Sequence, residues 1–587
     1  MRTDPHLAND PLSASWTAEL RSALRVHARR HLPEAMVPAH FVVLPALPRL
    51  PNGKVDRGNL PAFKDTGDAG TPGAGFVAPR DPLEARIAGI WQDLLGVANV
   101  DVETGFFDLG GDSLTVLQMA AQVRDAFGVR LDLRRLFEDP TVSRLAALIG
   151  NGAAPDAGPG AGSGTASAAA PGPGPRTSGD TNPRGVAGDR MAADAALPAD
   201  IRPGPDTRPP VRGGAYRSVL LTGGTGYTGA FLLRELLERS RATLHVLVRA
   251  TGPEEALERV LANLEEYGLL RPGDRERLRG VPGDTGRPYL GMGREDYHRL
   301  AAEVEMIVHN AAVSSWVVPY SKIKPVNVLG AQEVLRLACR TRVKAVHFVS
   351  TTGVYPGLPG TRCWAEAPLT GTDGVVGGYR QSKWVADSLM LQARERGVPA
   401  HVYRLGAVTG ARDTGACSED TFINHLVKGC VQLGAYLDFD LQLELVPVDY
   451  CAAAIAHVAV SGGSEHAVFN VPGAHAVRMN DVFELVSAYG YRLRRLPYRE
   501  WYRELSDAVE RGEENELAVY LPLFGPEAPA AEIGRLDSRP VFDTTHLTSA
   551  LDGSGISCPP VGRQLFDTYL DYFVSTGFLP PPADPRR

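Results

Sequence analysis

A tyrosine and a lysine lie four residues apart, at Tyr379 and Lys383. On a helix this spacing places both side chains on one face. The pKa of a free tyrosine is about 10, and a neighbouring ammonium group favours the phenolate. We therefore expect Lys383 to lower the pKa of Tyr379 and make it an acid-base group for a carbonyl oxygen. Because such pairs are also common on helix surfaces, the reaction has to be argued from further residues.

A glycine-rich turn lies upstream, between the apolar run 219–221 and a helical pattern that begins near residue 231. Three of its glycines have the spacing of loops that bind the pyrophosphate of a dinucleotide, because residues without a Cβ let the backbone approach the phosphates. The residues predicted to bind the cofactor in this turn are Gly223, Thr225, Gly226, Tyr227 and Gly229.

The position of the next strand end bears on the kind of dinucleotide. About twenty residues beyond such a loop an NAD enzyme usually has an acidic residue for the ribose hydroxyls. This chain has Arg249 there, whose guanidinium can pair with a 2′-phosphate, so we predict NADPH. Arg259 is a second candidate phosphate contact. The alternative is that both are solvated surface cations.

A third chemical candidate is the serine of the string Gly110-Gly111-Asp112-Ser113-Leu114, which precedes an apolar helical pattern. A helix amino terminus favours negative charge and so suits a phosphodiester attached to Ser113. Capping of the helix by Asp112 or Ser113 explains the same residues.

Length and composition limit the classes of protein. A chain of 587 residues exceeds one hydrophobic core and fits three or four domains. The net charge of −7 indicates no nucleic acid partner, and no apolar run approaches the roughly 20 residues of a membrane span. The six scattered cysteines predict reduced thiols in a cytoplasmic protein and no metal site.

The elements that must position these residues follow from hydrophobic patterning. Apolar stripes at helical spacing over 80–150 predict a small helical bundle. Residues 154–215 are dominated by Gly, Ala and Pro, and we predict a disordered linker there. Beyond them, short apolar runs alternate with helical patterns, which predicts a parallel sheet in an α/β fold.

The flanks of Ser113 resemble a known family. Trp91, the run Phe106-Phe107-Asp108, and the run from Leu136 to Val142 resemble the thiolation domains of nonribosomal peptide synthetases. This resemblance implies a four-helix carrier bundle at 78–153, with 4′-phosphopantetheine attached covalently to Ser113.

Residues 216 to about 580 resemble the thioester reductase branch of the extended short-chain dehydrogenase/reductases. The resemblance rests on the runs 308–313, 320–330, 346–355, 403–410 and 446–450 together with the Tyr-x-x-x-Lys pair. It implies a Rossmann domain over 216–475 and a helical substrate-binding part over 476–587. The site residues that it implies are the catalytic Thr351, Tyr379 and Lys383, and the cofactor contacts Asp284, Asn310, Ala311 and Lys383.

Two of these assignments have alternatives. Ser350 and Thr352 flank Thr351 and could supply the same hydroxyl, or bond the backbone at the strand end. Asn327 is expected to support the Lys383 side of the site through backbone and water, or to cap a helix.

Residues 16–61 resemble the last segment of an adenylation domain, with Lys54 at the position of the lysine that reaches the acyl-adenylate. The nucleotide-binding core of that family is missing from this sequence. We therefore expect residues 1–66 to be a partial α+β adenylation subdomain, and another polypeptide to supply the acyl group.

The resulting expectation is a multidomain reductase that receives an acyl or peptidyl thioester on Ser113 and releases it with NADPH as an aldehyde, or further as a primary alcohol. Its expected partners are a phosphopantetheinyl transferase and an upstream synthetase or adenylation protein. Two alternatives are an epimerase or dehydratase of nucleotide sugars and a non-catalytic module that only tethers the carrier.

Overall fold

The computed structural model describes residues 77–95, shorter stretches between 97 and 127, and 141–151 of the amino-terminal part. Further along it describes residues 190–211, 213–316, 318–357, 360–438, 441–462, 464–524 and 538–582. The chain divides into two compact units, Met1–Gly172 and Pro173–Arg587. The segment that resembles an adenylation domain, with Lys54, and the predicted attachment residue Ser113 lie outside the described residues.

Among its described residues, the first unit has the helices α1 (Pro82–Leu95) and α2 (Val142–Asn151), which pack around a small apolar core. Helix α1 begins at a proline, whose fixed backbone suits the first helical position, and the Asp81 carboxylate accepts a hydrogen bond from the Glu84 amide at 2.8 Å. Trp91 is fully buried and packs edge-on against Phe106, with ring centroids 4.8 Å apart. The helical character predicted for the carrier unit is confirmed in this part of the chain.

The second unit is built on seven parallel strands, in the spatial order β7-β6-β5-β4-β1-β2-β3. The predicted α/β fold is therefore confirmed. The strands are β1 (Ser218–Thr222), β2 (Thr243–Val248), β3 (Leu278–Pro282), β4 (Met306–His309), β5 (Ala345–Thr351), β6 (Ala400–Leu405) and β7 (Val468–Val471).

Helices cover both faces of this sheet. Successive strand residues point to opposite faces, so Val219 and Leu221 join one apolar core while Leu220 joins the other. The helices described after residue 213 include α3 (Tyr227–Arg239), α4 (Pro253–Glu266), α5 (Asp274–Arg277), α6 (Arg294–Glu303), α7 (Tyr320–Lys324), α8 (Gly330–Ala338), α9 (Gly378–Glu395), α10 (Phe422–Leu433), α11 (Val448–Val460), α12 (Met479–Tyr489), α13 (Tyr498–Glu510), α14 (Thr545–Leu551) and α15 (Arg563–Ser575). Among the described residues, no helix is long and apolar enough to cross a membrane.

The helical layer beyond the sheet does not begin at residue 476, as the sequence suggested. Strand Ala435–Asp438 pairs with Arg494–Pro497, and Gly360–Trp364 pairs with Ser538–Phe542. Segments before residue 475 therefore share hydrogen-bonded ladders with segments after it, and pairing across the boundary could not be read from local patterning.

The predicted disordered linker over 154–215 is wrong for its last part. Residues 190–211 pack on the second unit, and their apolar side chains Met191, Ala195, Leu197 and Ile201 are buried in its core. We name residues 190–211 the strap. The composition of the strap is poor in large apolar residues, but these four suffice because they enter a core that the α/β unit already provides.

Polar contacts also hold the strap. The Asp194 carboxylate accepts hydrogen bonds from the Tyr320 hydroxyl and the Lys324 ammonium, both at 2.7 Å. The Arg396 guanidinium, just after α9, donates to the carbonyls of Leu197 at 2.8 Å and Pro198 at 2.6 Å. The strap is therefore held on α7 through the Asp194 carboxylate and at the end of α9 through its backbone carbonyls.

We predict that Ile201→Ala destabilises the second unit. Truncating a fully buried isoleucine costs about 2 to 5 kcal/mol, whereas the exposed Asp206 of the same strap is a matched control for which Asp206→Ala changes the free energy of unfolding by no more than about 0.5 kcal/mol. Urea denaturation of the full chain measures both. Equal midpoints for Ile201→Ala and the parent chain would contradict the packing of the strap.

Candidate active site

The residues predicted from the sequence meet at one edge of the sheet. Gly223 follows β1, Arg249 follows β2, Asp284 lies beyond β3, Asn310 follows β4, and Thr351 ends β5. In open parallel sheets ligands bind outside the carboxyl ends of the strands, where the strand order reverses. The reversal here lies between β1 and β4, so the glycine turn and Asn310 flank the crevice.

The glycine turn is shaped for close approach of the backbone. Gly223 has a φ of +73°, and a Cβ on it would lie 2.7 Å from the Ala311 nitrogen. A Cβ on Gly229 would lie 2.0 Å from the Gly223 carbonyl oxygen. Side chains at these positions would fill a cradle in front of the first turn of α3, whose free amides favour a phosphate. The turn, with Thr225 and Gly226 between these glycines, therefore fits a dinucleotide pyrophosphate.

Two asparagines orient this turn. Asn310 donates from Nδ2 to the Gly223 carbonyl at 3.1 Å. Asn263, on α4, donates from Nδ2 to the carbonyls of Gly224 at 3.1 Å and Gly226 at 3.3 Å. Asn263 could not be predicted from the sequence, because it lies near the end of an amphipathic helix with no motif around it.

Tyr227 differs from the expectation for a cofactor contact. Its hydroxyl is directed at the carbonyls of Thr409, at 2.8 Å, and Ala416, at 2.9 Å. Its ring packs edge-on against Phe231 and Tyr267. Only the backbone of Tyr227 is therefore available to a cofactor, while its side chain ties the glycine turn to the 409–416 segment.

The candidate contacts for the adenosine end lie at the ends of β2 and β3. Arg249 is exposed, and its carbonyl accepts a hydrogen bond from the Arg259 guanidinium, which brings both cations to the same strand end. The Asp284 carboxylate accepts a hydrogen bond from the Gly286 amide at 2.9 Å and lies 3.7 Å from the Arg287 guanidinium. Asp284 therefore shapes its own turn as well as facing this edge.

Thr351, Tyr379 and Lys383 come together. The Thr351 hydroxyl interacts with the Tyr379 phenol, and it accepts a hydrogen bond from the Gly353 amide at 3.1 Å. The Lys383 ammonium donates to the Val349 carbonyl at 2.8 Å and lies 4.7 Å from the centre of the Phe348 ring. Of the neighbouring hydroxyls, Ser350 instead donates to Asp387 at 3.1 Å, which favours Thr351 as the third member of the group.

The protonation of this group differs from the expectation. Burial raises the pKa of Tyr379 to about 12, and the opposing effect is the hydrogen bond with Thr351. The expectation that Lys383 lowers the pKa of Tyr379 is wrong, because the ammonium is bound to a backbone carbonyl and desolvation of the phenol is the larger effect. Burial lowers the pKa of Lys383 to about 7, opposed by the charge of Asp387. At neutral pH Tyr379 is therefore a proton donor.

Close packing sets the position of helix α9. A Cβ on Gly378 would lie 2.4 Å from the Val318 carbonyl oxygen, so only glycine fits beside Tyr379. Asn327 lies in the π-helical turn Pro325–Leu329, accepts from the Val313 amide at 2.8 Å and donates to the Ser382 hydroxyl at 2.9 Å. Asn327 therefore joins the loop after β4 to α9 through direct bonds, and it caps no helix.

Comparison with known proteins extends this picture. A family model described as "Phosphopantetheine attachment site" matches residues 85–149, and one described as "Male sterility protein" matches residues 221–455. The solved terminal R domain from the myxalamid PKS-NRPS biosynthetic pathway is 38% identical, with a TM-score of 0.62, over 68% of this chain and 100% of that chain. This chain belongs to the nonribosomal peptide synthetase reductase family.

Relatives of this reductase are much longer proteins. One of the linear gramicidin synthase proteins of Brevibacillus parabrevis is 32% identical over 94% of this chain and 10% of its own length. The isonitrile lipopeptide synthase of Streptomyces coeruleorubidus is 34% identical over 95% of this chain and 37% of its own length. The reductase chain therefore spans well under half of these relatives.

Other kinds of site find no support in the described part of the reductase. It contains no group of three or more His, Cys, Asp or Glu residues that could hold a metal ion. All six cysteines there are free thiols.

We predict that Asn263→Ala weakens NADPH binding. The buried Gly224 carbonyl would lose a donor and the Gly226 carbonyl would keep the Ala230 amide. The cost is roughly 1 to 3 kcal/mol, which corresponds to a dissociation constant raised about tenfold. Fluorescence titration of the full chain with NADPH measures the constant. Asn515→Ala is the matched control, because Asn515 makes the same amide contact with the Gly429 carbonyl at 3.0 Å in the helical layer. Equal affinities of the two variants would contradict a role of Asn263 in shaping the turn.

Proposed function

We propose that this chain carries an acyl or peptidyl thioester on a phosphopantetheine arm at Ser113 and releases it reductively with NADPH as an aldehyde. One observation carries the proposal: the Thr351, Tyr379 and Lys383 group lies at the same sheet edge as a dinucleotide cradle, on a chain whose attachment-site match spans Ser113. The carrier presents the substrate that such a site can reduce.

The chain's own residues handle the charge that develops on the substrate oxygen. NADPH, when bound at the glycine turn, supplies the hydride that adds to the thioester carbonyl carbon. Tyr379, protonated at neutral pH, donates its proton to the carbonyl oxygen, and the Thr351 hydroxyl holds the phenol in place. The ammonium of Lys383 stabilises the negative charge nearby. Loss of the thiol then releases the aldehyde, so that one thioester, one NADPH and one proton give aldehyde, free thiol and NADP⁺.

The preference for NADPH is assigned to the cations at the end of β2. Arg249 and Arg259 lie at the strand end where a 2′-phosphate would be held, and no carboxylate follows the strand directly. We predict that Arg249→Glu lowers kcat/KM for NADPH by at least about tenfold, since it replaces an attraction by a repulsion. Steady-state rates with both cofactors measure this, with NADH as the internal control, because it lacks the 2′-phosphate. An equal loss with NADH would contradict the assignment.

The partners follow from the arm. A phosphopantetheinyl transferase must modify Ser113, and an upstream synthetase or adenylation protein must load it. The free thiols suit a reducing compartment, and we propose that the reductase acts in the cytoplasm.

The decisive experiment uses the full chain with its arm and acyl group installed together from a fatty acyl coenzyme A by a phosphopantetheinyl transferase. We expect NADPH consumption and release of the aldehyde by mass, with the alcohol as product if a second hydride is transferred. Ser113→Ala should abolish turnover of the tethered group, and Tyr379→Phe should lower the rate roughly 10²- to 10⁴-fold.

The same assay tests the alternatives. A loaded, folded chain that leaves NADPH unchanged would favour a tethering module. Turnover of a free nucleotide sugar would favour an epimerase or dehydratase.

A further inference from the structure

A buried carboxylate lies one helical turn beyond Lys383. Asp387 has no exposed surface, and it accepts hydrogen bonds from the Ser350 hydroxyl at 3.1 Å and from the Arg404 guanidinium at 2.9 and 2.8 Å. The side chain of Arg404 is equally buried. This pair is not part of the Tyr-x-x-x-Lys motif, and neither family resemblance assigns it a role.

Asp387 connects the elements that carry the site. Ser350 directly precedes Thr351 on β5, Arg404 lies on β6, and Asp387 lies on α9 with Tyr379 and Lys383. The Asp387 carboxylate therefore hydrogen-bonds the strand that carries Thr351, and it lies on the same helix as Tyr379.

The carboxylate is also fixed in orientation. Arg404 donates to the Tyr355 hydroxyl at 2.6 Å and to the Ala367 carbonyl at 2.9 Å. These bonds hold the guanidinium plane, and its two-pronged contact with Asp387 holds the carboxylate in turn. The charge near Lys383 is thus held at one position.

Few other groups near Lys383 favour its charged form. Its hydrogen-bond acceptor is the neutral carbonyl of Val349, and Phe348 offers only a ring face. His309, on β4, is neutral because burial lowers its pKa to about 3, and Tyr379 is protonated at neutral pH. Among the groups that face Lys383 from α9, β4 and β5, Asp387 is the carboxylate whose charge favours the ammonium.

We propose that Asp387 is a positioning residue of the reductase, whose carboxylate, held by Arg404 and Ser350, favours the ammonium form of Lys383. The catalytic part of this proposal rests on the proposed function; the electrostatic part does not. A purely structural ion pair is the competing explanation, and it leaves the charge of Lys383 unaffected.

The test replaces both partners of the ion pair by neutral residues, and this double variant is called the neutral pair. Removing only one partner of a buried ion pair would leave an unpaired charge and can unfold the protein. Asp387→Asn combined with Arg404→Gln keeps side-chain size and hydrogen bonding but removes both charges. The matched control is Arg234→Gln with Asp274→Asn, a buried pair joined at 2.7 Å on α3 and α5, away from Lys383. Asp387→Glu, which keeps the negative charge, is the conservative variant.

Lysine NMR reads the charge without turnover. The chain has only seven lysines, so selective isotope labelling of lysine in the full chain gives few signals, and Lys383→Met identifies the one that matters. We expect the neutral pair to lower the titration midpoint of Lys383 by about 1 to 3 pH units. The control pair and Asp387→Glu should leave it within about half a unit of the parent chain. An unchanged Lys383 midpoint in the neutral pair would overturn the proposal. If the neutral pair does not fold, a Lys383 midpoint in Asp387→Glu that differs from that of the parent chain would also overturn it.

The acyl-loaded chain adds the kinetic readout. An ammonium is lost as pH rises, so the rate should fall on the alkaline side, and this fall should move to lower pH in the neutral pair by the same amount as the NMR midpoint. At pH 8 we expect a loss of roughly tenfold or more, with partial recovery at acidic pH. A shifted midpoint in a chain that consumes no NADPH would leave the electrostatic role standing and refute the proposed function instead. A uniform loss at every pH would refute the catalytic part.

Discussion

Burial of one ammonium group is the constraint on which the site depends. Lys383 is 3% exposed, and a desolvated cation is stable only with fixed partners. The Val349 carbonyl, the Phe348 ring and the Asp387 carboxylate supply them, and Asp387 in turn needs Arg404. Strands β5 and β6 and helix α9 are thereby fixed around a single charge. The same exclusion of water keeps Tyr379 protonated. Stability of the core and readiness for proton donation have one physical origin here.

The opposite wall of the crevice is set by backbone rather than by charge. Gly223 lies close to Ala311, and the side-chain amides of Asn310 and Asn263 donate to the carbonyls of the glycine turn. Asn327 does the equivalent for the loop after β4. Three carboxamides, each bonded to backbone, therefore shape a site whose reacting groups are hydroxyl and ammonium.

The sequence predicted what depends on local pattern. The strand, turn and helix around Gly223 and the i,i+4 pair on α9 follow from spacing alone, and the structure places them at one sheet edge. It did not predict the strap, because the partners of Asp194 lie more than a hundred residues away. The sequence predicted a lowered pKa for Tyr379, whereas burial raises it. Neighbouring residues in the sequence do not reveal how strongly a site is desolvated.

Helix α9 is specified at more positions than its motif suggests. Gly378 is required by the Val318 carbonyl, Ser382 by Asn327, and Asp387 by Arg404, in addition to Tyr379 and Lys383. Read along the chain, this gives Gly-Tyr-x-x-Ser-Lys-x-x-x-Asp. Used as a search pattern, it would separate buried helices of this kind from the many surface helices on which a tyrosine and a lysine meet by chance.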